Sequence, residues 1–247
     1  MTPAPPLVYK CPYCGTLKTI CALGSGNTCG ATCWSDFKQD LPMLPRASLV
    51  QRCPSCNKYY LHTNENFYKY AVSYACGASW GYLSYPSLKD AFVQLSPLGD
   101  NEFGVRLMLL HSYNDLYGGC KGTKDQSEVS AEEKKFFIEN ARALIKLCNI
   151  KDPAQRLLMA ELYREMGQFH KATRILRAAF KYDDDGLIDL RNKILLEADE
   201  RNSKVFIYYG DKNHRRESIK RDDEGYVFDE ELDAKNKIEH VEDDLPF

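Results

Sequence analysis

The chain has 247 residues, of which 44% are hydrophobic, 12% aromatic and 28% charged, with a formal net charge of −2. Such a balance sets up no global field toward nucleic acid or a membrane surface. No window approaches the ~20 apolar residues of a membrane span, and the stretch from Met1 to Lys10 has neither the charged start nor the apolar run of a signal peptide, so a cytoplasmic protein with no membrane partner is expected.

Two cysteine pairs dominate the first third of the chain, Cys11-Pro12-Tyr13-Cys14 and Cys53-Pro54-Ser55-Cys56. A Cys-x-x-Cys turn presents two thiolates on one tight loop, and two such loops supply the four soft ligands of a closed tetrahedral zinc site. Both pairs carry proline after the first cysteine, and the first continues into Gly15, which suits a turn needing positive φ. Cys11, Cys14, Cys53 and Cys56 are therefore expected to hold one structural zinc ion. The 38 residues between the pairs make the intervening segment an elaborated insertion. A module this small and loop-rich needs the ion, because structural zinc contributes on the order of 10–16 kcal/mol.

Two rival uses of these cysteines were weighed against the metal. Cys-Pro-Tyr-Cys resembles a glutaredoxin active site, but a redox motif should follow a strand and open a helix, whereas Cys14 leads into Gly-Thr-Leu-Lys-Thr. A disulfide framework needs an oxidising compartment. Of the other cysteines, Cys29 and Cys33 have the option of recruiting His62 or Cys76 to a second metal site, against the plainer reading of buried apolar thiols. Cys148 falls on the buried stripe of a helix. The run Gly24-Ser25-Gly26-Asn27-Thr28-Cys29-Gly30 lacks the Lys-Ser/Thr ending of a phosphate loop and reads as a turn-rich loop.

The middle of the chain is helical. Phe103, Leu107, Leu110, Asn114 and Tyr117 recur at helical spacing and predict a helix over 102–117, ended by Gly118-Gly119. Ser130 with Glu133 forms a capping box for a second helix along Phe137, Ala141, Leu144 and Cys148. Asp152-Pro153 opens a third, stopped at Gly167, and a fourth is expected from Phe169 to Lys181. The short turn between the last two demands an antiparallel hairpin. Leu187, Leu190, Ile194 and Leu195 mark a fifth helix.

Ala160, Tyr163, Gly167, Phe169, Ala172, Leu176 and Ala179 fall where a tetratricopeptide repeat places its packing residues, although Asp183-Asp184-Asp185-Gly186 stands where its proline would be. The two helices before this hairpin are expected to act as a degenerate preceding pair. The surface reads either as a concave protein-binding face or as an ordinary helical bundle. The split cysteine pairs, Ser35-Asp36-Phe37 before the second pair, and this hairpin together resemble a bacterial family of unknown function with a zinc ribbon followed by tetratricopeptide-like helices. The resemblance implies zinc and a bacterial cytoplasm and supplies no activity.

Lys204 to Tyr209 reads as a strand, and His214-Arg215-Arg216 with Lys220-Arg221 as a basic patch. Residues 222–247 carry eleven acidic residues against two lysines, and the tail ends Glu242-Asp243-Asp244-Leu245-Pro246-Phe247. This tip resembles the C-terminus of bacterial single-stranded-DNA-binding proteins. A terminal Phe can fill an apolar pocket while its carboxylate meets a cation, so Asp243, Asp244, Leu245, Pro246 and Phe247 are candidate partner-binding residues for DNA replication or repair factors. The bland alternative is a solvated acidic tail.

The chain is thus expected to be α+β and multidomain: a zinc-ribbon module with an insertion at 1–85, a tetratricopeptide-like helical domain at 86–200, and a short strand, basic loop and acidic tail at 201–247. No Ser/His/Asp order, His-Glu-x-x-His helix or paired-carboxylate signature is present, and no small-molecule substrate is evident. The leading expectation is a non-enzymatic zinc-binding adaptor. The alternative is a nucleic-acid-associated ribbon, since residues 1–85 hold seven Lys/Arg against three Asp/Glu and thirteen aromatics able to stack on single strands.

Overall fold

A computed structural model describes residues 2–44, 46–70, 82–118, 129–182 and 184–210. Among them are six α-helices and eight short strands in three small sheets, an α+β composition. Contacts group residues 2–31 and 40–113 into one unit, and 32–39 with the residues from 114 onward into another. The sequence had placed boundaries near 85 and 201, with 32–39 inside the ribbon.

In the first unit, β1 (Thr2–Lys10) pairs antiparallel with β2 (Leu17–Ser25), Leu7 opposite Ile20 and Lys10 opposite Leu17. The ladder shifts register between Ala4 and Leu7, where Pro5 and Pro6 have no N–H to donate. On its other edge β1 pairs with β7 (Phe67–Tyr70), giving the order β2-β1-β7. A second hairpin, β5 (Val50–Arg52) with β6 (Tyr59–Leu61), sets Arg52 opposite Tyr59. Against β6 packs α1 (Tyr85–Leu95), a helix not anticipated above. Ser84 caps it by accepting from the Ser87 N–H, Pro86 occupies its first turn, and it buries Tyr85, Leu88 and Ala91. Glu102–Tyr117 forms α2 over the expected residues, burying Val105, Leu109 and Leu110.

The second unit centres on α4 (Pro153–Glu165), whose residues from Arg156 to Arg164 are all buried because α3 (Ala131–Leu147), α5 (Phe169–Arg177) and α6 (Asp185–Asp199) pack around it. The expected caps are present: Ser130 accepts from the Glu133 N–H and Asp152 from the Gln155 N–H. Cys148 is buried. In the α4–α5 hairpin, Gly167 has φ of 72° and Ala160, Tyr163, Ala172 and Leu176 are buried. Ala179 is exposed and lies beyond the helix, because α5 stops at Arg177 rather than Lys181. Guanidinium groups satisfy its last carbonyls instead: Arg156 Nη2 donates to Ile175 O at 2.9 Å and Arg191 Nε to Leu176 O at 2.8 Å.

Ser35-Asp36-Phe37 belongs to this unit. β3 (Thr32–Trp34) pairs antiparallel with β8 (Ile207–Tyr209), the shortened form of the strand expected at 204–209, and β4 (Gln39–Asp40) flanks β3. Ser35 and Phe206 continue the pairing: Ser35 N–H donates to Phe206 O at 2.9 Å, and Phe206 N–H to Ser35 Oγ at 3.1 Å. Asp36, fully buried, accepts from Asn114 Nδ2 at 2.9 Å, and the same nitrogen donates to Glu165 Oε2 at 3.1 Å. Beside them Arg164 meets Glu161 through Nε and Nη2 at 2.8 and 2.5 Å, both side chains fully buried.

Two outcomes follow from this polar core. Arg164→Ala strands the Glu161 charge and should destabilise the helical unit by about 3–5 kcal/mol in urea unfolding; a loss below about 1 kcal/mol would show that the pair is dispensable. Glu165 has its carboxyl pKa pushed well above the usual range, first by burial and then by Glu161 and Asp36, with Arg164 and Asn114 opposing. A carboxyl whose folded pKa is raised favours the fold below its unfolded value, near 4.5, and loses that contribution as pH climbs through the folded value. Glu165→Gln removes the titration, so its melting temperature should gain on the wild type between pH 5 and 8; parallel pH profiles would refute this.

Candidate metal centre

The first Cys-x-x-Cys turn joins β1 to β2 and the second joins β5 to β6, and the two have the same backbone geometry. Cys11 N–H donates to Thr16 O at 2.9 Å and Gly15 N–H to Cys11 O at 3.0 Å; Cys53 N–H donates to Lys58 O at 2.9 Å and Asn57 N–H to Cys53 O at 3.0 Å. The residue after each pair takes the left-handed conformation, Gly15 with φ of 76° and Asn57 with φ of 57°. Glycine and asparagine are the residues that tolerate this conformation best.

The four Sγ atoms of Cys11, Cys14, Cys53 and Cys56 lie within 4.8 Å of one another. Cys11 and Cys56 are 3.8 Å apart, and Cys14 and Cys53 3.5 Å. Tetrahedral thiolates with metal–sulfur bonds of about 2.3 Å sit about 3.8 Å apart, so the donor set fits one ion with little movement. Cys11 and Cys53 are buried against Tyr60, Cys56 is half-buried, and Cys14 is exposed.

The electrostatics of the metal-free thiols describe competition for negative charge. Cys14 is lowered to about 6 by the Thr16 hydroxyl and then the Thr16 backbone N–H, with burial opposing them. Lys58's backbone N–H favours the Cys56 thiolate, but burial and the neighbouring Cys14, Cys53 and Cys11 outweigh it and push Cys56 up to about 11. Burial and the surrounding thiols raise the Tyr60 phenol to about 12. Four thiolates cannot share so small a volume without a cation, and a divalent ion removes the conflict by stabilising all four. Lys18 adds positive charge nearby and ties β2 to β5, its Nζ donating to Gln51 Oε1 at 2.7 Å.

Among the described residues, Cys11, Cys14, Cys53 and Cys56 are the one group of three or more potential ligands brought together. Cys29 is exposed, its N–H held by Asn27 Oδ1, while Cys33 lies in β3 of the other unit. The His62 ring packs edge-on against Tyr9 with centroids 4.0 Å apart, and burial lowers its pKa. Cys76, the basic residues 214–216 and 220–221, and the tail residues Asp243, Asp244, Leu245, Pro246 and Phe247 lie outside the described residues.

The ribbon aromatics divide into two sets: Tyr9, Tyr59, Tyr60 and Tyr85 are buried, whereas Tyr13, Phe67, Tyr68, Tyr70 and Tyr82 are exposed. Composition alone could not separate them. None of the described helices is long and apolar enough to cross a membrane. No family model, curated protein or solved structure matches the chain.

Removal of a bound ion by a strong chelator should expose residues 2–31 and 46–70 to limited proteolysis while far-ultraviolet circular dichroism keeps the signal of α3 to α6. Cys53→Ser should reproduce this without chelator. An N-terminal digestion pattern unchanged by either treatment would exclude a structural role for the ion.

Proposed function

We propose that the chain is a non-enzymatic, zinc-stabilised adaptor of the bacterial cytoplasm, with Cys11, Cys14, Cys53 and Cys56 holding one structural zinc ion. The convergence of those four sulfur atoms carries the reading. Thiolate donors suit zinc or iron, and the closed four-thiolate set leaves no coordination position for substrate, as befits a structural ion, for which zinc is the one proposed.

The adaptor part rests on the second unit. Small residues at Ala160 and Ala172 let α4 and α5 pack as a tetratricopeptide-like hairpin, with α3 before it and α6 after it. Such stacks present extended protein-binding surfaces. The tail ending Asp243-Asp244-Leu245-Pro246-Phe247 supplies a second docking element, an anionic peptide with an apolar terminus, suited to DNA replication or repair factors.

Two measurements test this. Native mass spectrometry of the purified chain should show one zinc per chain, lost in Cys11→Ser; iron or no metal would displace the zinc assignment. Affinity capture from bacterial lysate should recover DNA-maintenance proteins with the intact chain and lose them when Leu245, Pro246 and Phe247 are removed, and an unchanged set of partners would discard the docking tail.

A further inference from the structure

We propose that the first unit carries a binding face for single-stranded nucleic acid, formed by β7 and the tips of the two cysteine turns. This goes beyond the adaptor reading and draws on different residues.

All four residues of β7 are exposed, with Phe67 at 37%, Tyr68 at 54% and Tyr70 at 63%. Tyr13, at the tip of the first cysteine turn, is 52% exposed. Phe67 and Tyr70 are held in place by ring contacts. Phe67 meets the buried Tyr9 edge-on at 5.8 Å, and Tyr70 meets Phe67 at 5.2 Å, while pairing with β1 fixes the strand backbone. Cations accompany the rings: Lys58 Nζ lies 4.9 Å from the centre of Tyr13 and Lys69 Nζ 5.5 Å from that of Tyr68. Next to them an open groove of about 430 Å³ is lined by Lys10, Cys11, Pro12, Gly15, Asn66, Phe67 and Tyr68, with Glu65 as its acidic member.

Charge and residue type select the occupant. Within this unit, residues 2–31 and 40–70 hold six Lys/Arg against two Asp/Glu, so the face favours an anion. The cations beside the rings are lysines, a type depleted at protein–protein interfaces but well suited to a phosphate backbone. Exposed rings interleaved with lysines match the stacking platform of single-strand binders, where each base offers a π-face. A duplex hides those faces, so unpaired strands are the ligand.

Fluorescence anisotropy with the full chain and labelled 15-nucleotide oligo-U and oligo-dT, beside a duplex of equal length, tests the proposal between 50 and 300 mM KCl. Both single strands should bind, with the duplex at least about tenfold weaker. With Lys10, Lys58 and Lys69 contacting phosphates, log affinity should fall against log salt with a slope of about −2. Tyr68→Ala and Tyr70→Ala should each weaken binding about tenfold at unchanged metal content, Tyr68→Phe should retain it, and Lys58→Glu with Lys69→Glu should abolish it. A difference between oligo-U and oligo-dT would identify RNA or DNA as the preferred strand. No binding at 50 mM KCl, equal binding of the duplex, or full affinity in the Tyr68→Ala/Tyr70→Ala double variant would overturn the proposal. Competition by polyglutamate as strong as by unlabelled strand would do so too, assigning the face to an acidic protein.

Discussion

The first unit depends on four sulfur atoms meeting from two turns that lie 38 residues apart in the chain. Each turn closes a short hairpin, and neither hairpin has enough apolar surface to stand alone; small isolated hairpins are marginal in water. Joining them commits a long loop to closure, an entropic cost that grows only slowly with length. Coordination of an ion by the four thiolates would contribute a binding free energy of about 10–16 kcal/mol, well above that cost, so a long insertion between the pairs is compatible with such a site. Lys18 reinforces the junction by reaching from β2 to Gln51 and to the Arg52 carbonyl.

The second unit solves a different problem. α4 is enclosed by three other helices yet carries Arg156, Glu161 and Arg164 on its buried surface. Each is matched. Glu161 neutralises Arg164, Arg164 Nη1 also donates to Asn202 O, and Arg156 caps the end of α5 through Ile175 O. Paired charges of this kind add little net stability over an apolar core, but each partner is costly to remove alone. They therefore fix how α5, α6 and the approach to β8 are arranged around α4 more than they strengthen the packing. Asp36 and Asn114 join the same network through Glu165, so a loop next to β3 becomes part of the helical core.

What could be read from the sequence follows the range of the interactions. The cysteine turns, the Ser130 and Asp152 caps and the Gly167 turn were legible, because each is specified by residues within a few positions of one another. β1 was missed because Pro3, Pro5 and Pro6 argue against a strand; a register shift accommodates two of them. α1 carries a local signal, Ser84 with Pro86 ahead of Leu88 and Ala91. The early end of α5 depends on Arg156 and Arg191, distant in sequence from the carbonyls they satisfy. The grouping of Ser35-Asp36-Phe37 with Asn114 and Phe206 is likewise long-range. The edge-on packing of His62 against Tyr9 is long-range in the same sense.

The division of the aromatics bears most directly on function. A small unit short of core would be expected to bury every ring it has, since each contributes a large apolar area. Tyr9, Tyr59 and Tyr60 follow that rule, yet Tyr13, Tyr68 and Tyr70 remain in water. Lysines on the same surface keep such rings soluble and discourage edge-to-edge strand pairing along β7. Rings held by strand pairing and edge contacts lose little conformational freedom when a ligand stacks on them, so less of the interaction energy is spent on ordering. With Lys10 immediately before Cys11, Tyr13 between the first pair and Lys58 two residues after Cys56, the cysteine turns determine where these groups stand. A four-cysteine cluster can in this way set the geometry of the proposed binding face.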